Sequence, residues 1–345
     1  MERLTALLAQ QAGVISRRQA IELGLDDLEL SALVRADRLH TVHPGVHVDH
    51  PGPLTWHQRA WAAVLHAWPA ALSHGSALRA ANGPGRRLAL GHQGDPGPIH
   101  VAVGTRRKVA VQPGIVVHRL GGLSSRVEWN RSPPRLRIEE AGVELAAASS
   151  SDYDAVSVLA DLVSSRQTTP GRLLDALAGR PTLARRDFLT EVLDDVTQQT
   201  CTVLAQGYLL RVVRPHGLPM AVPQPIDPRR GLLRAEVLHG EFGQVVGLDG
   251  RIFASGSRRG ACEREHDWQH GREHDWPEDW PDDSGAELAA PEPSSIRLGW
   301  RQVFERPCAT AVQMVALLRA RGWHGTPHLC PECSVEATRL LLPGA

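Results

Sequence analysis

The chain opens on three short amphipathic stretches. "ERLTALLAQQAG" places its apolar residues at helical spacing and stops at Gly13. "SRRQAIELG" sets Ser16 and Gln19 at capping-box spacing and stops at Gly24. "DDLELSALVRADR" repeats the device with Asp26 and Glu29, and turns Leu30, Leu33 and Val34 to one face. The period then changes. "LHTVHPGVHV" holds two short β-prone runs around the turn pair Pro44-Gly45. Helix, helix, helix and hairpin within residues 1–50 is the order of a winged helix-turn-helix, with its second and third helices joined as tightly as a DNA-reading unit requires.

Further along, "TWHQRAWAAVLHAW" reads as a helix capped by Thr55, its Trp56, Trp61, Leu65 and Trp68 forming a buried face rather than a ligand site. "PIHVAVG" and "RKVAVQPGIVVHRL" read as strands and "LRIEEAGVELAA" leads into a helix, so residues 51–150 are expected to form a small α/β domain. Three helices follow in 151–199, a connector in which Thr169 and Pro170 cap and start the second. From Cys201 the order is helix ("TVLAQGYLLRVV"), strand pair ("EVLHGEFGQVVGLDGRIF"), strand ("IRLGW") and long helix. That order is the minimal core of restriction-endonuclease-like folds and is assigned to 200–325, with 326–345 as a tail. The fold class expected is multidomain, α+β with α/β parts.

Composition sharpens this in three places. A chain of 345 residues is long enough for two or three domains, and 42% hydrophobic with 22% charged residues is ordinary for soluble protein. Formal net charge is zero, but residues 51–150 hold twelve Arg/Lys against five acids, whereas 263–287 hold ten acids against two Arg. One basic region is compatible with nucleic-acid contact. No apolar run approaches the ~20 residues of a membrane span, the N-terminus lacks a signal-peptide layout, and five sparse cysteines fit a reducing compartment, so a cytoplasmic protein without membrane contact is expected.

Over residues 5–50, "GVISRRQAIELGL" and "DRLHTVHPGVHV" resemble the N-terminal domain of AbiEi-type antitoxins. The resemblance implies a DNA-binding regulator whose partners are double-stranded DNA and, in some members, a cognate toxin. Candidate DNA contacts are Arg17 and Arg18 at the start of the second helix, Ser31 and Arg35 on the third, and Arg38, Thr41 and His43 in the wing. Seven acids against five arginines in 1–50 oppose this, so a purely protein-binding module is an alternative.

Residues 201–323, through "GYL", "RPHGLP", "EFG.VV.LDGR.F" and "RLGW..VF.RPC", resemble the very-short-patch-repair-like endonuclease domain. That family's hairpin implies an acid on its first strand, a Glu-x-Asp on its second and a His after the turn, with a further Glu on the preceding helix. Here Glu236 takes the first position and Asp249 is kept, but Gly247, Ala254 and Ala205 stand at the other three. Mg²⁺-dependent hydrolysis needs two or three carboxylates around the metal, so Glu236 and Asp249 read as the catalytic and metal-binding residue of a disabled site. By themselves they also read as a surface strand acid and a turn-forming Asp-Gly. No cofactor is expected, Mg²⁺ being required only by the alternative of an active endonuclease.

Two segments remain. The insert 262–295 repeats EHDW at 265–268 and 273–276. It offers His266, Asp267, His270, His274 and Asp275 to a metal, and its composition suits a disordered acidic loop. His324, His328, Cys330 and Cys333 have zinc-ligand chemistry, but a single CxxC without a second half points to a frayed tail.

Overall fold

Three helix starts carry the reciprocal caps their sequences encode. Ser16 with Gln19, Asp26 with Glu29 and Thr55 with Gln58 each exchange side chain and backbone hydrogen bonds. The computed structural model describes residues 2–83, 97–198, 200–224, 234–250, 252 and 294–341. The acidic insert and Ala254 lie outside these, apart from its last residues.

The winged helix consists of α1 (Glu2–Gln10), β1 (Val14–Ser16), α2 (Arg17–Glu22), α3 (Asp27–Arg35), β2 (His40–His43) and β3 (Val46–Val48). Its sheet has the order β1-β3-β2 and is antiparallel throughout. Leu4, Ile15, Ala20, Leu30 and Leu39 form the core beneath the three helices. The wing's turn at Gly45 has φ 72°, and the Gly45 carbonyl accepts the Arg17 N–H at 2.8 Å, tying the wing to the start of α2.

The next elements are α4 (Trp56–Ala67), β4 (Ala70–Leu72), α5 (His74–Asn82), β5 (Ile99–Gly104), β6 (Ile115–Leu120), α6 (Leu123–Arg126), β7 (Val127–Glu128), β8 (Arg135–Leu136), α7 (Ile138–Ala147), α8 (Asp152–Ser164) and α9 (Pro170–Ala178). The five strands make a mixed sheet of order β6-β5-β4-β8-β7. Val14, Val46 and Val48 on the back of the winged helix pack against Trp61, Ala62 and Leu65 of α4. Residues 1–150 and 154–190 therefore form one unit, the other being 151–153 with 191–345. Of the expected tryptophan face, Trp61 and Leu65 are core. Trp56 and Trp68 are instead stacking platforms, for Arg79 at 4.5 Å and Arg18 at 4.8 Å. The three helices expected as a connector divide between the units: α9 packs on α7, whereas α10 (Arg186–Gln198) crosses the division.

In the second unit α11 (Thr202–Gly207) runs into a π-helical turn, Tyr208–Val213. The strands are β9 (Val222–Pro223), β10 (Arg234–His239), β11 (Gln244–Asp249) and β12 (Ser294–Gly299), in the order β12-β11-β10-β9. β10 and β11 are the expected antiparallel pair, and β12 runs parallel to β11. A second π turn, Arg301–Glu305, precedes α12 (Pro307–Ala320), and α13 (Val335–Leu341) ends the described chain. "GYL" is a packing motif. A Cβ on Gly207 would lie 2.5 Å from the Phe304 ring, and the fully buried Tyr208 places its hydroxyl 2.9 Å from His239 Nε2.

The tail expected to fray does not. Ala337 and Leu341 of α13 are buried, and the His328 N–H donates to the His216 carbonyl at 2.8 Å. The missing information was non-local, because the segment packs on residues more than a hundred positions earlier. Among the described residues no helix is long and apolar enough to cross a membrane.

Candidate nucleic-acid interface and carboxylate hairpin

The first turn of α2 exposes Arg17 and Arg18, yet both guanidinium groups are engaged within this unit. Arg17 Nε and Nη2 donate to the two Asp27 oxygens at 2.6 Å each, clamping the start of α2 to the start of α3. Arg18 pairs with Glu22 at 2.6 Å and lies over Trp68. The same pairings answer the excess of acid. Asp27 faces Arg17, and Glu29 accepts the Asp26 N–H at 2.9 Å as half of the α3 cap. That leaves Ser31 and Arg35 exposed one turn apart on α3, with Arg38 exposed beyond its end. Thr41, at the wing edge, places Oγ1 3.2 Å from His47 Nδ1.

His43 links the wing to α4. Its ring lies 5.4 Å from that of His66 on α4, and His66 Nε2 lies 3.2 Å from the Ala110 carbonyl. Burial, then His66, lowers the His43 pKa, so it packs as a neutral ring. Ala110 belongs to the β5–β6 loop, which carries the exposed run Arg106, Arg107 and Lys108. Wing and basic loop are thereby joined through two histidines. Much of the remaining positive charge of the middle domain is spent internally. Arg126 pairs with Glu140, Arg131 and Arg135 with Glu128, and Arg137 donates to the Ser125 carbonyl. The run "RRK" was readable in the sequence; its junction with the wing spans more than forty residues and was not.

In the hairpin, Val246 and Leu248 are buried, which turns Gly247 and Asp249 to the opposite, half-buried face of β11. Glu236 is the direct cross-strand partner of Gly247, and Gly247 is in turn in register with Arg297 of β12. A row of acid, gap and base therefore crosses this face. A Cβ on Gly247 would meet Arg297 Cγ and the Ile296 carbonyl at 3.6 Å, ordinary contact, so packing does not demand a glycine. Ala205 is buried on α11. Burial, then Asp195 and Asp249, pushes the Cys201 thiol up to about 12. Both Asp195 oxygens are occupied, accepting the Thr200 hydroxyl at 2.6 Å and the Val203 N–H at 2.7 Å.

Among the described residues, two groups bring three or more potential metal-ligand atoms within 4.8 Å of one another, and Glu236 and Asp249 belong to neither. One group is His74, His100 and His118 in the first unit. His74 and His118 stack with ring centroids 3.8 Å apart at 24°, and His100 Nδ1 lies 2.9 Å from His118 Nε2. An imidazole binds a metal in its own plane, and two nearly parallel stacked planes share no such point, so this group is a hydrogen-bonded stack. Burial, then His118 and His100, lowers the His74 pKa to about 3. An unfolded His74 takes its proton near its ordinary value of 6.5, so acid stabilises the unfolded state first. Stability is retained above pH 6.5 and is lost as pH falls toward 3, by up to ~1.4 kcal/mol per pH unit for this one proton. Amide protection factors in β4 and β5, measured against the unfolded exchange rate at each pH, should fall between pH 7.5 and 5, and less so in His74→Asn, which tolerates the positive φ of 48° at this position.

Residues 2–46, the winged helix through the start of β3, match the family described as "Transcriptional regulator, AbiEi antitoxin". Among solved structures the chain is similar to the crystal structure of RV2827C protein from Mycobacterium tuberculosis, with a TM-score of 0.36 and 19% identity over 59% of this chain and 79% of that one. No curated protein matches.

Proposed function

We propose that the chain is a DNA-binding regulator of antitoxin type that grips one duplex with both its wing and its basic loop. The observation carrying this reading is the His43–His66–Ala110 junction, which joins the wing to Arg106, Arg107 and Lys108. Ser31 and Arg35 project from α3 for contact with base edges, and Arg38 and Thr41 from the wing for phosphates. Phosphate contact releases condensed counterions, so affinity should fall steeply with salt. With the four cations Arg38, Arg106, Arg107 and Lys108 on phosphates, polarisation of a labelled duplex should report a loss of roughly two orders of magnitude between ~50 and ~200 mM salt. No binding at ~50 mM would overturn the proposal.

The hairpin of the second unit reads as a disabled metal site. Glu236 and Asp249 are one strand and two residues apart, and Arg297 flanks the gap at Gly247. Losing a carboxylate ligand and an acid/base group costs several orders of magnitude in hydrolysis, so plasmid DNA should remain uncut with Mg²⁺ or Mn²⁺. Gly247→Glu alone should fold normally and pair with Arg297. Gly247→Glu with Arg297→Ala frees the new carboxylate and should raise Mn²⁺ affinity ~10-fold or more by electron paramagnetic resonance. Wild-type cleavage that Asp249→Ala abolishes would instead establish a working endonuclease.

One observation favours a second reading, protein contact by the helix-turn-helix: Leu28 on α3 is 77% exposed and Ile21 on α2 45%. A cognate toxin is the partner this reading would take. Leu28→Ala, which adds no charge to α3, should then abolish partner capture without changing salt-dependent DNA affinity.

A further inference from the structure

Four side chains from three separate segments of the second unit converge beside the C-terminal segment. His216 lies in "RPHGLP", after the first π turn, and is fully buried. Cys308 stands in the first turn of α12, and Cys330 and Cys333 bracket the turn before α13. Cys308 Sγ is 3.4 Å from Cys330 Sγ, which is 3.6 Å from Cys333 Sγ, and Cys333 Sγ is 3.6 Å from His216 Nε2. All four ligand atoms lie within 4.8 Å of one another.

These separations exclude a disulfide and fit a tetrahedral ion. A disulfide brings its sulfurs to about 2.05 Å, whereas a tetrahedral ion with bonds of about 2.3 Å holds its sulfurs roughly 3.8 Å apart. The imidazole is also oriented for the task. His216 Nδ1 lies 2.9 Å from the Val212 carbonyl, which as an acceptor fixes the proton on Nδ1 and leaves the Nε2 lone pair aimed at the thiols. We propose that His216, Cys308, Cys330 and Cys333 form a structural zinc site. Three thiolates and an imidazole close a tetrahedral shell with no position open to substrate, as in structural rather than catalytic zinc centres.

The site would staple the C-terminal segment to the body of the second unit. Gly217, at φ 61°, has the His328 ring 2.8 Å from where a Cβ would lie, so the segment is already seated against the ligand loop. His324 and His328, the histidines adjacent to the CxxC in sequence, are not in the group.

The test is metal analysis of the full chain, purified with zinc present and passed over a mild chelator. About one zinc per chain is expected, with wild-type retention in His324→Ala and loss in His216→Ala and Cys308→Ala. Because those variants could misfold, Co²⁺ exchange into the wild-type protein supplies an independent readout. It should give thiolate-to-metal charge-transfer absorption and intense tetrahedral d–d bands, and chelation should raise amide exchange over residues 326–341. Wild-type protein without stoichiometric metal, a Co²⁺ spectrum without thiolate bands, or a native Cys308–Cys330 disulfide in mass spectrometry would each overturn the proposal. So would zinc retained in both His216→Ala and Cys308→Ala, which would place the ion elsewhere, for example on the insert histidines.

Discussion

Replacing Arg106, Arg107 and Lys108 together by Ala should weaken duplex binding by roughly 100-fold or more at ~100 mM salt. Each phosphate contact contributes about 0.9 to the slope of log affinity against log salt, so three lost contacts should flatten that slope by nearly 3. The defect should therefore shrink to several-fold near ~0.5 M, where a folding defect would persist. Loss should be equal for all sequences, because phosphates carry no base information. Arg17→Ala and Arg18→Ala should do less, since their charge is already balanced by Asp27 and Glu22. Titrations of the triple variant and the wild type across salt concentrations check both statements.

Glu140→Ala should destabilise the first unit by about 3–5 kcal/mol, equivalent to roughly 10 °C in its melting midpoint. Glu140 is buried between two arginines. Arg126 Nη1 donates to both of its oxygens at 2.8 and 2.7 Å, and Arg180 Nη1 to one at 3.1 Å. The guanidinium groups are themselves largely buried, at 15% and 10% side-chain exposure. Removing the carboxylate leaves two cations facing each other out of water, with Glu144 still beside Arg180 and the Gly179 carbonyl beside Arg126. Arg172→Ala is the contrast: its guanidinium is 68% exposed, it meets Glu139 only at 3.6 Å, and Glu139 keeps the Thr168 hydroxyl as a donor, so its loss should cost less than about 1 kcal/mol. Differential calorimetry of the two variants measures the difference.

What could be read from the sequence was local. Capping boxes, the Pro-Gly turn and the alternation along β11 depend on residues within four positions, and each formed where expected. The Glu236–Gly247 pairing was also legible, because a short hairpin leaves few registers that keep Val237, Val246 and Leu248 inside. What escaped was non-local. Asp27 and Trp68, which meet Arg17 and Arg18 only after the chain folds back, were not legible as their partners, whereas the Arg18–Glu22 pair is local. The CxxC lacked an obvious second half because His216 and Cys308 are separated from it by 117 and 22 residues. The tail looked frayed for the same reason.

The most direct measurement of the central claim, one duplex held by wing and basic loop together, is site-specific photocrosslinking. A benzophenone amino acid placed at Thr41 in one variant and at Lys108 in another reports contact within a few ångströms of each position. Both variants should crosslink to a labelled duplex at ~50 mM salt, with both crosslinks fading together as salt is raised. A protein that binds the duplex but crosslinks from only one position, or from neither, would contradict the claim.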